Sequence, residues 1–218
     1  MQFNKHDLSQ EIPSADQCRT EDIPPKAHWA LAIGLMAVMI ALQWCGPAMY
    51  ALLRYERELW RVEPWRVFSA HMVHLGAWHC ALNVTGLLVW AFLFADQNWR
   101  LTLSVTFALC VATGAILPVF SEIEDYAGFS GVLYGLFSYS FTCAMCAGRR
   151  WLAWGLLGLM ARIVWQWLAG PSIEEEALIG GTIVVQAHWA GVLAGCAFGL
   201  VMCRDLRQAM ARKLLNHS

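Results

Sequence analysis

Long apolar runs alternate with short polar connectors along most of this chain. A bilayer hydrocarbon core about 30 Å thick takes about 20 mostly apolar residues in a helix. By that measure six spans are predicted, near 29–49, 77–96, 101–119, 130–147, 151–168 and 187–203. The second, fourth and sixth are rich in Gly, Ala, Ser and Cys, whereas the first, third and fifth carry bulkier apolar residues. Trp29, Trp60, Trp65, Trp78, Trp99, Trp151, Trp167 and Trp189 fall near span ends, where indole rings settle at the membrane–water boundary. The pattern predicts an all-α membrane protein, a compact bundle of six transmembrane helices over 28–203. Polar tails at 1–27 and 204–218 flank it.

Composition agrees. The 218 residues are 58% hydrophobic and only 14% charged, against about 25% charged in soluble domains, and the mean hydropathy is +0.46. The bilayer is therefore the first partner. A net charge of −1 leaves no strong basic footprint for nucleic acid. Residues 1–27 are polar and acidic, without the basic start, short apolar core and cleavage site of a secretory signal.

Lys and Arg set the orientation. With the amino terminus inside, the inner segments hold Lys5, Arg19, Lys26, Arg100, Arg149, Arg150, Arg204, Arg207, Arg212 and Lys213, and the outer ones only Arg54, Arg57, Arg61 and Arg66. Both termini are expected in the cytoplasm. The second, fourth and sixth helices then run from outside to inside, and their first residues share one depth. Those residues include His79 and Asn83, Ser130, and His188. Strongly polar groups inside spans are costly and point to function by default.

Each group suggests a chemistry. In Gly128-Phe129-Ser130-Gly131, Gly128 permits a tight turn and Gly131 lets another backbone approach. A serine at a helix start also sits beside unpaired N–H groups that stabilise an oxyanion. A serine needs a base, and His188 supplies an imidazole. His188 heads the stripe Gly191, Gly195 and Gly199, whose four-residue spacing lets a neighbouring helix pack close. The expected neighbour is the fourth helix, with Gly131 and Gly135. Tyr134 shares a helix face with Ser130 and is placed to hold the imidazole plane. His79 and Asn83, one turn apart, suit an oxyanion hole with the Ser130 amide. No acidic residue falls in the spans near the pair, so a dyad is inferred. Taken singly, these strings also fit a capped helix start, a structural histidine and interhelical hydrogen bonding.

Together, His79-x-x-x-Asn83, Gly128-x-Ser130-Gly131 with Tyr134, and Ala187-His188-x-x-Gly191-x-x-x-Gly195 resemble the rhomboid family of intramembrane serine proteases. Trp65-Arg66 and His74 fit the same pattern, and the likeness runs from about Trp65 to Gly199. The resemblance implies a rhomboid-like bundle with Ser130 as nucleophile and His188 as general base. His79, Asn83 and the Ser130 amide would form the oxyanion site. It further implies a membrane-anchored protein substrate with a transmembrane helix, no cofactor, and a site in a bacterial inner membrane that opens to the periplasm. The compact size, the short outer loop near 54–76 and the run Val185 to His188 also resemble rhombosortases, bacterial rhomboids that process proteins with a carboxy-terminal Gly-Gly sorting tail. Two other readings stay open. One is an inactive rhomboid-like protein that binds clients. The other is a transporter, or a metal or haem membrane protein, with His79 and His188 as ligands.

The remaining polar features have plainer expectations. Among eight cysteines, Cys143 and Cys146 have finger-like spacing, but no second Cys/His pair follows, so packing is expected and no metal. His71 and His74 suit interfacial hydrogen bonds better than a metal. Arg162, well inside the fifth span, is expected to snorkel, pair with a loop carboxylate or meet a substrate anion. Glu174 to Glu176 read as a solvated loop, and Trp165 and Trp167 as lipid-belt residues.

Overall fold

The computed structural model describes residues 25–215, with side chains over 26–204; most of the expected amino-terminal tail and the last three residues lie outside it. Six long helices make up the bundle: α1 (Pro25–Trp44), α4 (Ala77–Leu93), α5 (Trp99–Ile116), α6 (Ser130–Cys146), α7 (Ala153–Ala169) and α9 (Val185–Leu215). Shorter pieces sit between them: α2 (Pro47–Leu53), α3 (Arg66–Ser69), α8 (Ile173–Ile179), and a two-stranded ribbon of β1 (Tyr55–Glu56) and β2 (Asp125–Tyr126).

Among the described residues, four stretches are long and apolar enough to cross a membrane alone: Lys26–Trp44, Trp99–Val119, Arg150–Ala169 and Val185–Arg204. A fifth is the pair Arg66–Met72 and Ala77–Leu93, bent by 85°. The remaining long helix, α6, has 17 residues, about 25 Å at 1.5 Å per residue. Ten of those 17 are buried, so α6 is the central post of the bundle. Large apolar side chains such as Phe92, Phe107, Trp154 and Leu168 instead face outward on the surrounding helices.

Two span boundaries differ from expectation by about five residues or more. The first helix stops at Trp44 and not near 49, because Gly46 takes φ 76° and Pro47 opens a new helix, α2; proline also disfavours helical backbone in the residue before it. At the other end α9 continues to Leu215, through the segment expected as a tail. Residues 204–215 contain no Gly or Pro, and strong helix formers such as Leu, Ala, Arg and Lys carry it on.

The sharpest packing is between α6 and α9. A Cβ on Gly191 would stand 1.9 Å from the Gly131 carbonyl oxygen, and one on Gly195 would stand 2.2 Å from that of Gly135. The two backbones touch, so no side chain separates them. Ser138, fully buried, fits between the helices with its hydroxyl 3.0 Å from Gly135 O and 3.1 Å from Val192 O. On the far side of α6, Trp90 of α4 donates its indole N–H to Ser140 Oγ at 2.9 Å.

The loop between α2 and α4 is held by its arginines. Buried Arg66 donates to the carbonyls of Ala51 and Arg54, each at 2.8 Å, and pairs with Glu63. Arg57 donates to the carbonyls of Ile123 and Leu117 at 3.0 and 3.3 Å, and to that of Phe120. These side chains satisfy loop carbonyls that would otherwise be stranded. The antiparallel register Tyr55↔Tyr126 and Glu56↔Asp125 ties this loop to the segment leading into α6.

Candidate active site

Ser130 is the first residue of α6. Gly128, just before it, has φ 127°, a conformation that L side chains rarely adopt. A Cβ there would also stand 2.6 Å from His79 Cε1, so glycine is required twice over. The turn is pinned from two sides. Gly128 N–H donates to Ala70 O at 2.9 Å, and Tyr126 Oη donates to Gly128 O at 2.8 Å. Burial holds the Tyr126 phenol well above its ordinary range, so it stays a donor.

Gly131, one residue on, has the Ala187 carbonyl pressed against it, 2.9 Å from where a Cβ would be. Ala187 precedes His188, so this contact brings the starts of α6 and α9 together. Ser130 Oγ lies 2.9 Å from His188 Nε2. The serine is half-buried and the histidine buried. Tyr134, one turn below Ser130, stacks on the imidazole with centroids 4.5 Å apart and planes at 25°.

Both residues line a cavity of about 360 Å³ shared with His79, Asn83, Tyr134, Gln166 and Arg162. His79 Nδ1 faces the Leu75 N–H at a long 3.5 Å, and its Nε2 edge faces Gly128. With Nδ1 as the acceptor, Nε2 carries the proton. Asn83 donates one amide hydrogen to His79 O at 2.9 Å and has a second to offer the cavity. The first turn of α6 adds backbone N–H groups without intrahelical acceptors.

Other predicted residues act elsewhere. Gly195 packs on Gly135 and Ser138, deeper along α9. His71 bonds to Cys110 O at 3.0 Å and to Thr113 Oγ1 at 3.2 Å, away from the cavity. His74 stands edge-on to His79, centroids 5.1 Å apart. The acidic run is not a plain solvated loop. Ser172 Oγ accepts the Glu175 N–H at 3.1 Å and caps α8, whose first turn holds Glu174, Glu175 and Glu176, where acidic side chains complement the helix dipole. Glu175 then pairs with Arg162 of α7, and Glu176 accepts the Ile183 N–H at 2.9 Å. Arg162 thus meets a loop carboxylate, and α8 becomes a wall of the cavity, which Glu175, Leu178 and Ile179 line.

Sequence reasoning missed Gln166. It is buried on α7, and its Oε1 lies 3.2 Å from His188 Nδ1. A signal existed: an amide inside an apolar span, one turn after Arg162.

The fold and this cavity define a multi-pass helical membrane protein with a serine hydroxyl and an imidazole in hydrogen-bond contact. The Rhomboid domain family model matches residues 61–205, and the chain belongs to the rhomboid family, whose members are generally intramembrane serine proteases acting on membrane proteins. Among curated proteins, no sequence matches it.

Proposed function

We propose that this protein is an intramembrane serine endopeptidase that cleaves membrane-anchored proteins near the outer, periplasmic face of a bacterial inner membrane. The observation that carries this reading is the 2.9 Å contact between Ser130 Oγ and His188 Nε2, made by residues of two helices whose backbones touch. His188 accepts the serine proton as Oγ attacks the scissile carbonyl, then returns a proton to the departing amine. Water repeats the sequence on the acyl-enzyme and restores Ser130. His79 Nε2–H, the free Asn83 N–H and the Ser130 amide surround the developing oxyanion. Gly128, Gly131, Gly191 and Gly195 support the site by allowing the close approach of backbones and of the His79 ring.

Within the family, the compact membrane core and the short first outer loop support rhombosortase-type processing of substrates with a carboxy-terminal Gly-Gly tail and a membrane helix. Both termini are then cytoplasmic, in line with the basic residues of the inner segments. Co-expression with membrane-anchored reporters, one of them Gly-Gly-tailed, tests the reading. Cleavage by wild type and none by Ser130→Ala is expected; equal processing by both, or by neither, contradicts it. Cleavage of only the reporters without the Gly-Gly tail overturns the sorting-tail assignment.

A further inference from the structure

We infer that Gln166 is a positioning residue for His188, a neutral third member that orients the base of the Ser130–His188 pair. This rests on the hydrolase reading above and adds a residue to it. On α7, only Ile163 and Gln166 are buried. The residues beside Gln166, Trp165 and Trp167, are 65% and 71% exposed, whereas Gln166 is 3% exposed. Burying a primary amide in an apolar span is unfavourable unless its polar atoms are paired. Its carbonyl oxygen meets His188 Nδ1, 3.2 Å away.

That contact decides a tautomer. An amide oxygen only accepts, so it requires a proton on Nδ1 and leaves Nε2 bare toward Ser130 Oγ. Were the amide reversed, its N–H would point at Nδ1, Nε2 would carry the proton, and the serine would have no base. Three contacts then fix the ring: Gln166 at Nδ1, Tyr134 stacked on its face and Ser130 at Nε2. The neutral amide suits this depth. A carboxylate at the same position would have to give up its hydration on burial, whereas the amide carbonyl still accepts from Nδ1–H once the ring takes up the serine proton. Protein families with a Cys-His-Asn arrangement use a neutral amide in the equivalent place.

The test uses full-length protein in bilayer discs and the labelling kinetics of a fluorophosphonate probe, with Ser130→Ala as blank. Gln166→Met keeps the shape and removes the acceptor, and Gln166→Glu, which burial keeps in its neutral acid form, still presents a carbonyl oxygen to Nδ1–H. For Gln166→Met we expect a maximal labelling rate lower by about tenfold or more, with unchanged probe affinity and thermal midpoint. Gln166→Glu should recover most of the rate. A wild-type maximal rate in Gln166→Met, or a Gln166→Glu variant as slow as Gln166→Met, overturns the positioning role while Ser130-dependent labelling keeps the hydrolase reading. Loss of probe affinity or of the thermal midpoint in place of the maximal rate assigns Gln166 to packing and overturns the role too. Wild-type labelling no greater than the Ser130→Ala blank removes the hydrolase reading, and this inference with it.

Discussion

The Gly191 α-carbon meets the Gly131 carbonyl so closely that an added methyl group would stand 1.9 Å from that oxygen. Gly131 follows Ser130 and Gly191 lies three residues after His188. This backbone contact between α6 and α9 is therefore within one helical turn of both site residues. Their 2.9 Å separation follows from where the two backbones touch.

Gly191→Ala should consequently act on stability and on the site together. The methyl group meets backbone, which cannot swing aside, and overpacking of this kind typically costs about 1–3 kcal/mol. A lower thermal midpoint and loss of labelling at Ser130 are expected. Gly34→Ala in α1, where a Cβ meets nothing within 4 Å, should leave both unchanged. Equal behaviour of the two variants would remove helix contact as the device that sets the site.

Asn83→Ala separates the oxyanion role from folding. Asn83 donates to His79 O within its own helix, a bond the helix can do without, and its second N–H is the one assigned to the oxyanion. Turnover of a cleaved reporter should fall about 10²–10³-fold at a near wild-type thermal midpoint. Undiminished turnover would take Asn83 out of the oxyanion site.

Glu175 and Arg162 join α8 to α7 along the lining of the cavity. The two side chains are 41% and 38% exposed, and pairs of this exposure contribute roughly 0–1 kcal/mol. Glu175→Gln should therefore barely change global stability, yet speed local opening of α8. Hydrogen exchange across 173–183 should rise while that of α6 and α9 stays constant. No change in 173–183 would mean that Ser172 capping and the Glu176 contact hold α8 without the ion pair.

The membrane class and the long helices were legible because lipid imposes long apolar runs. The α6–α9 contact was legible for a related reason: Gly131, Gly135, Gly191 and Gly195 repeat at the spacing of one helix face. What escaped was short or assembled across distance. Two-residue strands such as Tyr55–Glu56 and Asp125–Tyr126 have no periodicity to detect. The fold of the acidic run into α8 depends on the Ser172 cap and the reach of Arg162 from another helix. Gln166 meets His188 from 22 positions away in the chain, and a single polar residue in an apolar span does not declare its partner. The Gly46-Pro47 break was visible in the letters, but its apolar flanks hid the end of α1.

The most direct test of the central claim is to react purified full-length protein with a fluorophosphonate and locate the adduct by peptide mass spectrometry. The predicted result is one phosphonylated residue, Ser130, with the adduct lost in Ser130→Ala and reduced to background in His188→Ala although the variant remains folded. An adduct on a different residue, or labelling that survives in Ser130→Ala, would contradict the claim that these two helices build a nucleophile and its base.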